Sequence, residues 1–357
     1  MNYSILNNLT IIIFSYNRHI HLKRVIRYWS NYSVRLVVLD GSTTKLEDPC
    51  LKTKNLRYIY DQSGFFNRLL SSPNFIDTEY MILGSDDEFY LPSALSSCIE
   101  FLNKEHTYSS CQGVAIGFGT RKKGQEAYGF QQYPKLKDLC LSQGLNQEKA
   151  IDRISKHFSY YIIAHTFSVI RSSKWKIICK HVFEKEYNFY CAWELQIEFL
   201  ALVSGKTKII PELMWMRNNE VPPIRGTNPS LSSKVLMPEW WHSSYYKEEK
   251  NDFLYRMKKA CDELSTDQNV EFTKDTIVKL FEYYINGLSM KSFLASCLDL
   301  ISLQVKNLIK SILPWHEIRT KKYKNLEYET SILESQGYKV NHEEISRIIL
   351  ILLNSRN

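Results

Sequence analysis

The chain has 357 residues, 44% of them hydrophobic and 24% charged, with a formal net charge of +8. That length and balance allow one large α/β domain plus a smaller appendage, and they exclude an intrinsically disordered chain. The excess of positive charge favours an anionic partner, either a nucleotide diphosphate or an acidic membrane surface. Nucleic acid is set aside, because there is no zinc-finger spacing, RNP-like aromatic motif or long basic tail.

The eight cysteines (Cys50, Cys98, Cys111, Cys140, Cys179, Cys191, Cys261 and Cys297) include no CxxC pair. Neither a zinc site nor a disulfide framework is indicated, so a reducing, cytoplasmic setting is expected. The N-terminus lacks a basic segment followed by a long apolar one, and no run reaches the ~18 apolar residues of a spanning helix. Aromatic residues make up 13% of the chain; most suit a core, and some suit stacking on sugars or bases.

In chain order, Thr10–Phe14 (TIIIF) predicts a buried strand. Leu22, Val25, Ile26 and Trp29 then recur at helical spacing, and Val34–Leu39 predicts a second strand that stops at Asp40-Gly41-Ser42. A third strand is expected over Leu56–Tyr60, a short helix over Phe65–Leu70, and a fourth strand over Tyr80–Leu83 (YMIL). Strand and helix alternating in this way predict a mostly parallel sheet with helices on its faces, whose ligands sit beyond the carboxyl ends of the strands. Pro92 opens a helix to about Leu102, and Gly113–Phe118 reads as a strand. Residues 119–150 read as a loop over a site, Tyr160–Ile170 as a strand, and Trp193–Val203 as a helix closed by Gly205. Near residue 225 the texture changes to Asn228, Pro229 and a serine cluster, read as a linker, and the remainder is helical.

Three polar clusters follow strands. Gly84-Ser85-Asp86-Asp87-Glu88-Phe89 places three consecutive carboxylates at a strand end, where they repel one another. Hard divalent cations such as Mg²⁺ and Mn²⁺ take such oxygen ligands and bridge them to phosphates. A solvated acidic turn that caps the next helix is the plainer alternative. Phe14-Ser15-Tyr16-Asn17-Arg18 offers a hydroxyl, an aromatic ring and an amide that can hold a base, or equally an ordinary helix-capping turn. In Asp40-Gly41-Ser42 the acid can accept from a base N–H or a ribose hydroxyl, or simply close a tight turn.

Together, strand, S-Y-N-R, strand, D-G-S, strand and D-D-E-F-Y-L-P resemble the nucleotide-binding half of the GT-A fold of family 2-type glycosyltransferases, over about residues 9–102 and more loosely to about 220. The resemblance is closest to a bacterial subgroup with a D-D-D-F motif used in surface-polysaccharide synthesis. It implies that Tyr16 stacks on the base, that Ser15, Arg18, Ser42 and Arg68 line the nucleotide site, and that Asp40 binds base or ribose. It implies further that Asp86 lies near ribose and metal, and that Asp87 is a direct ligand of Mn²⁺ or Mg²⁺. Glu88 stands where the subgroup has aspartate, which leaves open whether it is a ligand.

In the same family a carboxylate opening an acceptor-side helix deprotonates the acceptor hydroxyl. Glu194 in Tyr190-Cys191-Ala192-Trp193-Glu194-Leu195 fits that place, ahead of Asp152 and Glu198, with Trp193 stacking on a sugar. A glutamate in a first helical turn is also favoured by the helix dipole alone. Arg171, Arg217 and His242 are further candidates to neutralise the leaving diphosphate or meet the acceptor.

Phe293, Leu294, Cys297, Leu298, Ile301, Val305, Leu308, Ile309 and Ile312 form an apolar stripe, followed by Arg319, Lys321, Lys322 and Lys324. The 291–324 stretch suits packing on its own domain or on a second subunit, with docking on the inner membrane surface as the alternative. The expectation is therefore a GT-A-like domain over 1–225 and a helical domain over 226–357. The chain is read as moving a sugar from a nucleotide-sugar donor to a glycan or lipid-linked acceptor. A sugar-nucleotide nucleotidyltransferase is the enzymatic rival, though S-Y-N-R-H lacks its glycines. A non-catalytic carbohydrate-binding protein is the other rival, though it has no need of clustered acids.

Overall fold

The run LTIIIFS over Leu9–Ser15 forms strand β1, and cover on both faces explains why it is continuously apolar instead of alternating. The computed structural model describes residues 3–121, 126–131, 134–159, 161–163, 165–189, 191–219, 234–265, 272–300 and 324–354. After β1 come helix α1 (His19–Trp29), β2 (Arg35–Asp40), β3 (Leu56–Tyr60), helix α2 (Phe65–Ser71) and β4 (Tyr80–Ser85). Strand β1 lies between β2 and β4, all parallel, with Ser15 level with Asp40 and Phe14 level with Ser85. Strand β3 extends this parallel block beyond β2.

The chain continues through β5 (Phe89–Tyr90), helix α3 (Pro92–Lys104), β6 (Tyr108–Arg121), β7 (Glu126–Gln131), helices α4 (Pro134–Leu141) and α5 (Ala150–Ser159), and β8 (Val169–Arg171). Helices α6 (Ser172–Phe183) and α7 (Ala192–Ser204) then lead to β9 (Lys206–Asn218). Among the described residues one sheet runs β10-β7-β6-β8-β4-β1-β2-β3, with β9 beside β6 and β5 beside β9. Strand β8 runs antiparallel to both β4 and β6, whereas β6 and β9 are parallel. The expected α/β architecture, a largely parallel sheet flanked by helices, is the one formed.

Two segments differ from the sequence expectation. Residues 119–150, expected as a loop, contain the end of β6, the β7 strand that returns along it, and helix α4. Their weak periodicity has a packing cause. A Cβ on Gly117 would lie 2.3 Å from the Phe130 ring, and one on Gly119 2.4 Å from the Tyr128 hydroxyl, so glycines stand where alternation would otherwise show. Of the strand expected over 160–170, only Val169–Arg171 pairs; the described residues before it serve side-chain contacts instead.

The C-terminal part is helical: α8 (Met237–His242), α9 (Lys247–Leu264), α10 (Lys274–Leu300), α11 (Leu326–Ser335) and α12 (His342–Asn354), with the two-residue strand β10 (Lys324–Asn325) on β7. These helices are built into the rest. Helix α9 packs on α6 and α7, α10 on α5, and α12 on α1. Glu344 accepts from the Ser93 backbone N–H (2.9 Å), the Ser93 hydroxyl (2.8 Å) and the Tyr3 hydroxyl (2.7 Å), tying α12 to the start of α3. The linker expected around Asn228 and Pro229 lies outside the described residues. So does the basic cluster Arg319–Lys322 and most of the apolar stripe, of which only the helical backbone to Leu300 is described. No described helix is long and apolar enough to cross a membrane.

Candidate functional site

Three neighbouring parallel strands end together, so the turns after β1, β2 and β4 share one rim of the sheet. Asn17 takes a left-handed backbone (φ 54°) just after β1, a conformation its short polar side chain tolerates. Its amide N–H donates to Ser42 Oγ (2.8 Å), and its side-chain oxygen accepts from Thr43 N–H (2.9 Å). The two turns are thereby latched together. Asp40 is wholly buried beneath this latch. It accepts from the Ser42 N–H (2.9 Å), the Ser42 hydroxyl and the Tyr58 hydroxyl (2.6 Å), and His19 Nε2 lies 3.2 Å away. Asp40 therefore shapes the wall of the rim through its neighbours. Tyr16 is 54% exposed, leaving its ring open to a stacking partner. Arg68 is buried under Gly41 and donates to the Ser63 carbonyl; burial pulls its guanidinium below the usual value.

The acids after β4 face this latch. Asp86 accepts from Ser15 Oγ (2.7 Å), Asp87 from Ser85 Oγ, and one guanidinium nitrogen of Arg18 reaches both, 3.3 Å from Asp86 and 3.1 Å from Asp87. Burial, then repulsion from Asp87, pushes the Asp86 carboxyl up to about 7 in spite of Arg18. Glu88 turns towards β9, where Trp215 Nε1–H donates to it (2.8 Å) and Arg217 lies 3.6 Å away. Burial and Asp87 push Glu88 up to about 8. Asp86 and Asp87, adjacent carboxylates bridged by one guanidinium nitrogen, are a hard-oxygen pair whose repulsion a divalent cation would relieve, so this pair fits such an ion. Arg217 and Glu88 thus join the rim that Ser15, Arg18, Asp86 and Asp87 form.

A second group sits at the start of α7, entered through Cys191 in a left-handed conformation (φ 57°). Glu194, in the first turn, accepts from the Tyr161 hydroxyl (2.7 Å). Burial pushes its carboxyl up to about 7; the Tyr161 bond opposes that rise and the charge of Glu198 adds to it. Trp193 packs edge-on against Phe65 (5.6 Å between centroids), and Phe65 against Phe14 (5.4 Å). Two ring contacts therefore connect the first turn of α7 to the residue before Ser15. Glu198 does not line an opening: it is fully buried between His157 and His165, and these three form a group whose ligand atoms lie within 4.8 Å of one another.

Other expected residues stand apart. Arg171 is level with Tyr80, at the opposite end of β4 from Asp86, and donates to the carbonyls of Tyr108 (3.0 Å) and Leu102 (2.6 Å). His242 ends α8 at the surface, and Asp152 is exposed in the first turn of α5. Sequence reasoning missed Tyr58, Tyr161, His157, His165 and Trp215. Each lies at least 18 residues in sequence from the acid it meets, so spacing carried no signal.

No protein-family model matches the chain, and no curated protein matches it in sequence. Among solved structures it is similar to residues 1–349 of S. aureus TarS in complex with UDP-GlcNAc, with a TM-score of 0.50 at 12% identity, over 84% of this chain and 77% of that one. A longer S. aureus TarS structure aligns with a TM-score of 0.45 at 11% identity, over 78% of this chain and 43% of that one. At these identities, what the chain shares with the 1–349 structure is its fold.

Proposed function

We propose that the chain is a nucleotide-sugar-dependent glycosyltransferase of the GT-A type, related to the D-D-D-F subgroup and acting in bacterial surface-polysaccharide assembly such as capsule or lipopolysaccharide O-antigen. The observation that carries this reading is the convergence of Ser15, Arg18, Asp86 and Asp87, hydrogen-bonded to one another beyond the ends of adjacent parallel strands, where open α/β sheets bind ligands. In this reading Tyr16 stacks on the base, and the Asp40–Ser42–Tyr58 network forms the nucleoside wall. Asp86 and Asp87 would hold Mn²⁺ or Mg²⁺, whose charge offsets that of a departing diphosphate. Arg217 and Arg68 would supply positive charge to assist it, with Glu88 beside Arg217 at the rim.

Glu194 takes the proton of the acceptor hydroxyl as that oxygen attacks the anomeric carbon. The carbon–oxygen bond to the nucleoside diphosphate breaks in the same displacement, with inversion. A carboxyl pushed to about 7 suits this role, since it ionises near neutral pH yet keeps enough basicity to accept a proton. The helical C-terminal part would carry acceptor, inner-membrane or subunit contacts, and the enzyme would work on the cytoplasmic side. UDP-GlcNAc, the ligand of the similar S. aureus structure, is the first donor to test. The test is release of nucleoside diphosphate from UDP-, GDP- and CDP-linked sugars with and without Mn²⁺. Metal-dependent binding that survives Asp87→Ala would sink the metal assignment.

A further inference from the structure

Glu194 and Glu198 are four residues apart on α7 and so share one face of the helix. Both meet the irregular segment that precedes β8. Oε1 of Glu198 accepts from His165 N–H (2.9 Å), Thr166 N–H (2.8 Å) and the Thr166 hydroxyl (2.8 Å). Oε2 lies 2.9 Å from His157 Nε2 and 2.7 Å from His165 Nδ1. Five donors against about four lone-pair positions saturate the carboxylate, and attraction to His165, then hydrogen bonds with both imidazoles, hold it well below the usual range despite burial. Each ring gives one N–H to Glu198, and His157 Nδ1 and His165 Nε2 are buried without a hydrogen-bond partner.

Tyr161 packs directly on this knot. Its ring packs against His157 (5.5 Å), Phe158 (6.1 Å) and Tyr284 (4.9 Å), and its hydroxyl ends on Glu194 Oε1. The groups facing Glu194 are Tyr161 from this segment, Glu198 on the same helix and Tyr284 from α10, which Cys191 also faces. Among the described residues, Tyr161 is the group that donates to the carboxylate.

We infer that Tyr161 is a positioning residue for Glu194: held by the Glu198 anchor, its hydroxyl orients the carboxylate and stabilises the ionised form. The mechanistic consequence rests on the reading of Glu194 as the base, but the geometry does not. Saturation of Glu198 also makes the His157–Glu198–His165 knot an anchor held by protons, not by a metal.

Tyr161→Phe removes the hydroxyl and keeps the ring. Infrared titration of the ¹³C-glutamate-labelled full chain, with Glu194→Gln to identify the band, follows the carboxyl without needing turnover. The expected result is a midpoint raised by about one pH unit in Tyr161→Phe. Where a donor is turned over, the rising limb of kcat shifts by the same amount. Activity at pH 7 then falls by about fivefold and recovers at higher pH, with the donor KM unchanged.

Thr166→Val removes one anchoring donor and leaves the backbone N–H groups and the Glu198 charge in place, so it should move the midpoint the same way by less. An unchanged Glu194 midpoint in Tyr161→Phe overturns the positioning role. An unchanged midpoint in folded Thr166→Val overturns the anchoring. A stoichiometric divalent metal that purifies with the chain and is lost in His165→Ala overturns the proton-held reading of the knot. A shifted midpoint in a protein that turns over no nucleotide sugar supports the positioning role and removes the proposed function.

Discussion

The rim beyond β1, β2 and β4 and the first two turns of α7 both bury carboxylates, and each region holds one acid supplied with donors and others left short of them. Within α7 the contrast is sharpest. Glu198, met by five donors, is held ionised, while Glu194, met by one hydroxyl, is pushed up to about 7. The acids at the rim resemble Glu194: Asp86 and Glu88 rise to about 7 and about 8, because burial and mutual repulsion outweigh Arg18 and Arg217. Helix position and residue type are shared by the two glutamates, so the number of donors decides the charge state. A carboxylate that the fold satisfies completely is scaffold. One left short of donors is available to a proton, a cation or a substrate.

Breaking the rim should have the largest effect. Asp87→Ala removes one of the two carboxylates that Arg18 bridges. It is expected to lower turnover by at least about 10³-fold and to abolish Mn²⁺-dependent nucleotide binding. Calorimetry with UDP, with and without Mn²⁺, checks it; retained metal-dependent affinity counts against the assignment. Next comes Glu194→Gln, expected to cost about 10²- to 10³-fold in kcat with the donor KM nearly unchanged. In the unsubstituted enzyme the base must be ionised, so kcat should climb through about pH 7 and level above it. A profile flat from pH 5 to 9 would remove Glu194 as the base.

Glu198→Gln tests the satisfied side of the comparison, and its effect belongs to stability. It leaves two imidazoles and two backbone N–H groups facing an amide, an expected loss of about 3 kcal/mol seen as a lower Tm. The pH dependence follows from the sign of the shift. Glu198 binds its proton less readily folded than unfolded, so its contribution is complete above the unfolded value of about 4.3 and drains away as pH falls. The variant should therefore lose stability at neutral pH and show a shallower acid limb, measurable by denaturant unfolding between pH 3 and 7.

How much of this was legible in the sequence follows the same divide. The parallel block was readable because each strand is a short apolar run ending in a polar cluster: TIIIF before Ser15, VRLVVL before Asp40, YMIL before Ser85. Adjacent parallel strands then bring those clusters together without further information. The antiparallel half was less legible. Glycines at 117 and 119 receive aromatic rings from β7 and interrupt the alternation. Glu88 also looked like one block with Asp86 and Asp87, but its longer side chain reaches β9 instead, and Trp215 lies 127 residues away. The Tyr161–Glu194 and His157–Glu198 pairs span 33 and 41 residues through an irregular segment with no period to read.

The smallest effect offers the finest test, because it asks whether Asp40 belongs with the satisfied carboxylates. Tyr58→Phe deletes one of its donors and leaves the Ser42 N–H, the Ser42 hydroxyl and His19 in place. The Tyr58 hydroxyl also accepts from the Leu46 N–H (3.0 Å), so that amide loses its partner as well. Two hydrogen bonds at a half-buried position are worth about 1 to 2 kcal/mol together, and that is the expected loss in denaturant unfolding. If Asp40 is scaffold for the nucleoside wall, the donor KM should rise only a few-fold and kcat should stay within about twofold. A collapse of kcat comparable to that of Glu194→Gln would instead place Asp40 among the working groups, and would show that a fully hydrogen-bonded carboxylate can still take part in the chemistry of this rim.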